Sequence, residues 1–516
     1  MCLHLFLIFN DNITFFKKDN HVQIVMYLLG IDIGTSSIKV SVVEANSTKC
    51  IASAQYPDNE SAITSLQIGW AEQSPEMWWE HMQKAILKLH ATKKYESSDI
   101  SAIGISYQMH GLVLVDKNQQ VLRDSIIWCD SRAVEIGENA FNKIGHEKCL
   151  SHLLNSPGNF TASKLAWVKK NEPTVYEKIA HVMLPGDFIS MKLTGTITTS
   201  ISALSEGIFW DFKNNELSKD IINHYGLNPS MLPSIQPVFS DHGHLLSHIA
   251  SALHLKEGIP ITYKAGDQPN NALSLNVLEP GEVAATAGTS GVIYGVTDSI
   301  TYDPQSRVNT FAHVNHTDNL NRLGVLLCIN GTGILNSWVK KMAASQMDYA
   351  QMNTAAAGIN AGSDGLQIMP FGNGAERIFN NKIIGAQFIN IDFNKHSQAH
   401  IYRAAQEGIA FTFRYGIDIM RENGMSPSVI RAGFSNMFLS DVFTDAFVNA
   451  TNVPVALYHT DGSVGAAIGA GIGSGAYKNA HEAFSNFKPI KVVEPTREKL
   501  FNELYLNWRN ALEKYL

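Results

Sequence analysis

The chain has 516 residues, 45% hydrophobic and 17% charged, with a formal net charge of −7. That length calls for more than one domain, because single hydrophobic cores rarely grow beyond about 250–300 residues. The acidic balance, with no basic stripe or run of like charge, argues against a nucleic-acid partner. The scattered cysteines Cys2, Cys50, Cys129, Cys149 and Cys328 lack CxxC spacing and read as reduced thiols of a cytoplasmic protein.

The apolar patch Leu3–Phe9 has neither the basic flank nor the small-residue cleavage site of a signal peptide, and it is too short to cross a bilayer. Residues 1–26 are therefore expected to be a non-structural leader, and no membrane partner is expected. Residues 27–43 place two runs rich in Leu, Ile and Val around the turn Gly34-Thr35-Ser36-Ser37, the pattern of a β-hairpin. Such a turn offers backbone N–H groups and hydroxyls to phosphate oxygens, and Asp32 beside it has the hard oxygen chemistry that suits Mg²⁺. An ordinary hairpin with a polar tip gives the same pattern. It is not a Walker A loop, because no Gly-Lys-Ser/Thr follows.

A helix is predicted over 75–94, with Ser74 at the N-cap and Pro75 at N1. Strands are predicted at 103–106 and 112–116, bracketing Tyr107-Gln108-Met109-His110-Gly111. Here His110 suits hydrogen bonding to a polyol hydroxyl and Met109 suits packing on sugar carbons, although a lone His also serves as a core residue. Helices are expected near 162–171 and 174–181. After the strand 261–264 comes a predicted loop, Ala265-Gly266-Asp267-Gln268-Pro269-Asn270-Asn271. Asp267 in that loop is either a carboxylate that accepts an alcohol proton or a cap for the next helix.

A second hairpin over 283–292 carries the turn Gly288-Thr289-Ser290-Gly291. A long helix is predicted over 398–422. Gly471-Ile472-Gly473-Ser474-Gly475-Ala476 loosely matches a dinucleotide fingerprint, but it follows the small-residue stretch 465–470, which close helix packing explains better. Two phosphate-type hairpins half a chain apart imply an α/β protein of two similar lobes with nucleotide between them, divided here as 27–272 and 273–516.

This arrangement resembles the actin-like (ribonuclease H-like) ATPase superfamily, and further segments narrow the resemblance to the FGGY carbohydrate kinases. Those segments are Gly30-Ile31-Asp32-Ile33-Gly34-Thr35-Ser36, Trp128-Cys129-Asp130-Ser131-Arg132, Lys164-Leu165-Ala166-Trp167-Val168, Ala265-Gly266-Asp267-Gln268, Ala287-Gly288-Thr289-Ser290-Gly291 and Glu407-Gly408. The similarity runs over 27–510 in family order. It implies ATP-dependent phosphorylation of a small sugar, with Asp267 as catalytic base and Asp32 and Asp267 flanking the Mg²⁺·ATP phosphates.

By the same resemblance Gly34, Thr35, Ser36, Ser37, Lys39, Gly288, Thr289, Ser290, Gly291 and Gly331 hold phosphates, and Gly433 and Asn436 line the adenosine loop. Within the family, Gln108-Met109-His110-Gly111 resembles the branch acting on D-xylulose. That implies acceptor contacts from Gln108, Met109, His110, Asp130, Arg132, Asp267 and Gln268; a homodimer is common in the family. Three segments depart from the pattern: Arg431-Ala432-Gly433-Phe434-Ser435-Asn436, which keeps one of three usual glycines; Thr198–Ser202, which lacks an expected Asp; and Gln268, where Asn is usual. L-ribulose, another ketopentose or gluconate stays open as acceptor. An actin-like ATPase and a sugar-binding protein without turnover are further alternatives.

Overall fold

Tyr27–Ile33 (β1) and Ile38–Glu44 (β2) are rich in Leu, Ile and Val, and with Lys49–Tyr56 (β3) they pair as an antiparallel meander in the computed structural model. Residues 26–516 are described; the expected leader, apart from Met26, lies outside them. Helix α1 (Pro75–His90) buries Trp78, Met82, Ile86 and Leu89 in the core beneath this sheet. Ser74 takes the N-cap position by its extended backbone, but its side chain makes no capping bond. Strand β4 (Ile100–Tyr107) lies parallel to β1, and β5 (Ile261–Gly266) parallel to β4. The first sheet therefore runs β3-β2-β1-β4-β5.

The second half repeats the scheme. Strands β6 (Val283–Ala287), β7 (Gly291–Thr297), β8 (Asn309–Ala312), β9 (Leu323–Ile329), β10 (Ile430–Gly433), β11 (Val455–Tyr458) and β12 (Lys491–Val493) form a sheet ordered β8-β9-β7-β6-β10-β11-β12. Its inner strands β9-β7-β6-β10-β11 pair antiparallel across the hairpin and parallel beyond it, as the first sheet does. Both turns thus emerge at equivalent ends of equivalent hairpins. Helices α2 (Thr161–Asn171) and α3 (Ile201–Glu206) lie between β4 and β5 in the chain and α4 (Asp267–Ser274) follows β5, and the second core is crossed by α5 (Gly333–Ala343) and α6 (Gln398–Glu422).

Helix α7 (Gly462–Gly473) follows β11 of the second sheet, yet it packs on β1, β4 and β5 of the first. Its composition explains how. A Cβ on Gly30 would lie 1.8 Å from the Ser463 carbonyl oxygen, one on Gly104 2.0 Å from that of Ala466, and one on Gly473 1.9 Å from that of Thr262. Only glycine fits where helix and sheet backbones meet so closely. The small-residue stretch is accordingly a packing device, buried with Leu28, Ala102, Tyr263 and Ile468.

Two predicted elements differ. The helix expected over 174–181 is confined to Pro173–Tyr176, because His181–Met183 instead pairs antiparallel with Val113–Val115. Tertiary strand pairing there overrides local preference. The loop expected over 265–271 is the end of β5 and the start of α4, with Gly266 as the extended N-cap residue. Pro269 falls in the first helical turn, where a missing N–H leaves no hydrogen bond unmade.

The crossing of α7 yields a stability prediction. Gly104→Ala should lower stability by about 1–3 kcal/mol, the usual cost of forcing a methyl group into a packed contact. Gly358, whose Cβ would meet the Ala355 carbonyl oxygen at 3.4 Å, serves as the control for alanine substitution. Equal urea midpoints for Gly104→Ala and Gly358→Ala would contradict the packing account.

Candidate active site

β1 ends at Ile33 and β2 begins at Ile38, so residues 34–37 form the first turn; Asp32 precedes it on β1. The second turn, 288–290, links β6 to β7. It is braced from behind: Gly333 N donates to the Gly288 carbonyl at 3.0 Å, Ile334 N to the Thr289 carbonyl at 3.1 Å, and Thr332 Oγ1 to both carbonyls. With its carbonyls held, the turn is a rigid platform, and Thr289 at its tip is exposed.

Between the lobes lies a cavity of about 160 Å³ lined by Asn271, Ser274, Thr286, Gly433, Asp461 and Gly462, among others. Asn436 comes within 3.7 Å of a Cβ placed on Gly288, so the loop after β10 meets the second turn. Arg431 is turned away to Glu282 at 2.8 Å, and Phe434 is 37% exposed, edge-on to His459. The departures at 431 and 434 therefore leave the Gly433 backbone open to the cavity.

Asp32 and Asp267 face the cleft from neighbouring elements. Burial raises the Asp32 carboxyl to about 6; Ser106 opposes the rise by hydrogen bonding, and Asp461 adds to it by repulsion. Asp267 opens α4 and is raised to about 7, first by burial and then by the charge of Asp32, while hydrogen bonds with Gln268 oppose. A desolvated carboxyl raised further by a second anion is an acceptor for a proton or a cation. Gly462, the first residue of α7, sits against this pair: a Cβ there would meet Asp32 Oδ2 at 2.3 Å.

Gln108, Met109 and His110 follow β4 beside this pair. His110 adopts φ +63°, a left-handed conformation that is uncommon for non-glycine residues. Lys164 on α2 holds it there by donating to the His110 and Ile127 carbonyls, each at 2.9 Å. Burial lowers the Lys164 ammonium to about 7. Nδ1 of His110 lies 2.9 Å from the Glu206 carbonyl, which only accepts, so Nδ1 carries the proton and Nε2 is an acceptor. Burial, with help from Lys164, lowers this imidazole to about 3, so it is neutral at any physiological pH. Met109 abuts Gly266, where a Cβ would meet its Cγ at 2.7 Å.

Several expected contacts are engaged elsewhere. Asp130 and Arg132 pair with each other at 2.6 Å; Asp130 also accepts from Ala71 N, and Arg132 reaches Glu72 and stacks 3.8 Å above Trp70. Both are buried and saturated, so they brace the site instead of meeting an acceptor. Lys39 is ion-paired to Asp461 at 2.5 Å, and the N–H of Gly331 donates to Glu376 at 2.8 Å. The Thr35 hydroxyl joins Gln108 Oε1 at 3.1 Å and receives the Trp128 indole N–H at 3.0 Å. These groups were expected on phosphate or sugar, and local partners satisfy them first. Gln108, 3% exposed, is likewise part of this network.

Three residues that the sequence pattern did not single out stand in the site. Glu206 ends α3, is 2% exposed, leaves Oε1 without a partner, and has its carboxyl raised well above the usual range by burial and by Asp267. Asp461 caps α7 through Ser463 N and Val464 N. An Asp before a small-residue helix was the signal available for it. Arg377, on the C-terminal lobe, is near enough for its charge to lower the His110 imidazole and the Cys328 thiol. Among the described residues no group of three or more His, Cys, Asp or Glu could hold a metal ion, and no helix is long and apolar enough to cross a membrane.

Comparison with known proteins gives a consistent result. The model of the FGGY family of carbohydrate kinases, N-terminal domain, matches residues 27–274, and that of the C-terminal domain matches 283–474. The chain is 31% identical over 406 residues to the xylulose kinase of Bacillus subtilis (strain 168), covering 78% of each chain. The crystal structure of xylulose kinase from Rhodospirillum rubrum superposes with a TM-score of 0.84 at 24% identity, covering 95% of this chain and 98% of that one. Gluconate kinase from Lactobacillus acidophilus gives 0.84 at 20% identity over 95% and 98%. These structural likenesses establish the two-lobed actin-like ATPase fold.

The coupling of the two aspartates is measurable directly. In carboxyl-carbon NMR titration the Asp267 midpoint should fall near pH 7. Asp32→Asn removes a negative neighbour, so it should move that midpoint to lower pH. A midpoint near 4 in the unchanged protein, or no shift in the variant, would refute the coupling.

Proposed function

The chain belongs to the FGGY family of carbohydrate kinases, and from that premise we propose that its acceptor is D-xylulose, phosphorylated by ATP at the 5-hydroxyl. The observation that carries this reading is the cluster at the end of β5: Asp267, raised to about 7, beside Met109 and a His110 fixed as a neutral acceptor. The Gln-Met-His-Gly segment and the similarity to a xylulose kinase support a ketopentose over other sugars.

Phosphoryl transfer to an alcohol requires in-line positioning, charge neutralisation and a group that takes the hydroxyl proton. Asp267, ionised in the reactive complex, accepts the proton of the 5-hydroxyl as the oxygen attacks the γ-phosphorus. His110 Nε2 receives a second hydroxyl, and Met109 lies along the carbon chain. The exposed tip of each turn offers backbone donors to the phosphates from opposite lobes. Adenosine enters the cavity beside Gly433.

Asp32 and Asp267 fit a divalent cation, since burial disfavours both anions and the charge of Asp32 adds to this at Asp267. Two carboxylates with water and phosphate oxygens completing the shell suit Mg²⁺, which keeps several waters and needs no all-protein cage. When bound, the ion supplies charge neutralisation at the phosphates.

A coupled ADP-release assay with Mg²⁺·ATP across D-xylulose, L-xylulose, D- and L-ribulose, glycerol and gluconate tests the reading. Turnover should be dominated by D-xylulose; a different preferred sugar, or ADP release indifferent to sugar, defeats it. Asp267→Ala should lower kcat on the order of 10²–10⁴-fold, the range of general-base contributions, with sugar affinity by calorimetry retained. His110→Ala should chiefly raise KM for the sugar, and an unchanged KM would return His110 to a structural role.

A further inference from the structure

Arg377 opens the helical turn Arg377–Phe379, and its placement is set by its neighbours. Ile378 and Phe379 are buried in the second core. Glu376 is fully buried and accepts from Asn330 N at 3.0 Å and Gly331 N at 2.8 Å, while Asn330 Nδ2 donates to the Ala375 carbonyl at 2.6 Å. Those donors lie just after β9, whose last residue, Ile329, pairs with Gly291 at the foot of the second turn. Residues 375–377 are therefore pinned to the same platform that supports Gly288 and Thr289.

The other arginines of the site are committed: Arg132 to Asp130 and Glu72, and Arg431 to Glu282. Arg377 makes no ion pair and no side-chain hydrogen bond among the described residues, and desolvation disfavours its charge. Its field reaches His110 across the cleft and Cys328 on β9, and Cys328 also feels Asp267. Arg377 is half-buried, and an unpaired, partly desolvated guanidinium gains when an anion arrives. A guanidinium presents a planar fork that matches phosphate oxygens.

We propose that Arg377 is a catalytic residue carried by the C-terminal lobe, donating to the oxygens of the phosphoryl group in flight between the second turn and Asp267. The inference rests on the phosphoryl-transfer chemistry of the family and not on which sugar accepts. As the bond from the γ-phosphorus to the β,γ-bridging oxygen breaks, a bond forms to the acceptor oxygen, whose proton passes to Asp267. ADP leaves with the bridging oxygen, and Arg377 keeps all its protons while neutralising charge on the oxygens of the moving group. Because Arg377 and Asp267 sit on different lobes, the reacting groups meet only when both substrates lie between them.

The test compares Arg377→Ala and Arg377→Lys with the unchanged chain. It measures kcat by coupled ADP release with the best acceptor, and, by calorimetry with Mg²⁺ present, affinity for ADP alone and for ADP with aluminium fluoride. Arg377→Ala should lower kcat on the order of 10²–10³-fold, the scale of losing one preorganised donor. Affinity for ADP alone should hold, and affinity for the fluoride complex should fall by a matching factor, with Arg377→Lys recovering part of both. An unchanged kcat, or equal losses for ADP and its fluoride complex, overturns the proposal. A loss confined to KM for gluconate also overturns it, by assigning Arg377 to an acceptor carboxylate. If Arg377→Ala fails to match the parent melting midpoint, Arg377→Lys decides by the same readouts. Failure of the unchanged chain to use D-xylulose would defeat the preceding reading alone, since the fluoride-complex affinities still judge Arg377.

Discussion

The close approach of α7 to the first sheet is the constraint on which the site depends. Ser463 and Ala466 lay their carbonyls directly over Gly30 and Gly104, a spacing that excludes every side chain larger than hydrogen. The helix begins where β11 of the second sheet ends, so this contact ties the two halves at one point. That point is beside Asp32: Gly462 abuts the carboxyl, Asp461 caps the helix and pairs with Lys39, and Asn270 of α4 donates to the Gly462 carbonyl at 2.8 Å. A bulkier residue in the crossing would displace the helix, its cap and α4 together, and with them the spacing between Asp32 and Asp267.

Electrostatics follow from that geometry. The cleft gathers Asp32, Asp267 and Glu206 in a setting where burial disfavours each charge and each anion disfavours the next. Such an arrangement is unstable as three anions and stable once protons or a cation are present. Of the nearby cations, Lys39 offsets the Asp32 charge only in part and is paired to Asp461. Lys164 is turned to backbone carbonyls and holds His110 in its strained conformation, and Lys264 pairs with Asp187 at 2.7 Å. Carbohydrate kinases must hold a highly charged nucleotide against a neutral alcohol, and here the repulsion within the acidic cluster is available to be relieved by substrate binding.

The sequence carried some of this plainly. Both hairpins, their turns and the long helix Gln398–Glu422 follow from local pattern alone, since alternation and small-residue turns are properties of neighbouring residues. Asp267 was legible as a special carboxylate, although its loop proved to be a strand end running into a helix. Asp130 and Arg132 were legible as chemistry-bearing residues but not as a saturated pair, because saturation depends on Glu72 and Trp70, some sixty residues earlier in the chain. Glu206 and Arg377 gave no signal at all: nothing in Ser-Glu-Gly states that Oε1 will be buried unpartnered, and nothing in Ala-Glu-Arg states that the guanidinium will make no ion pair.

What the sequence by itself determined was therefore the repeated strand–turn–strand scheme, the α/β class, the family and the residues of the two turns, all encoded in short-range spacing. Tertiary structure alone decided which polar groups remain free to act. Thr35, Lys39, Gly331, Asp130 and Arg132 found partners across the fold, while His110 Nε2 and the Arg377 guanidinium did not, and Asp267 is met only by groups beside it in the chain. The physical reason is that hydrogen-bond satisfaction and desolvation are set by distances in space between residues far apart in the chain, and these exist only once the chain has folded.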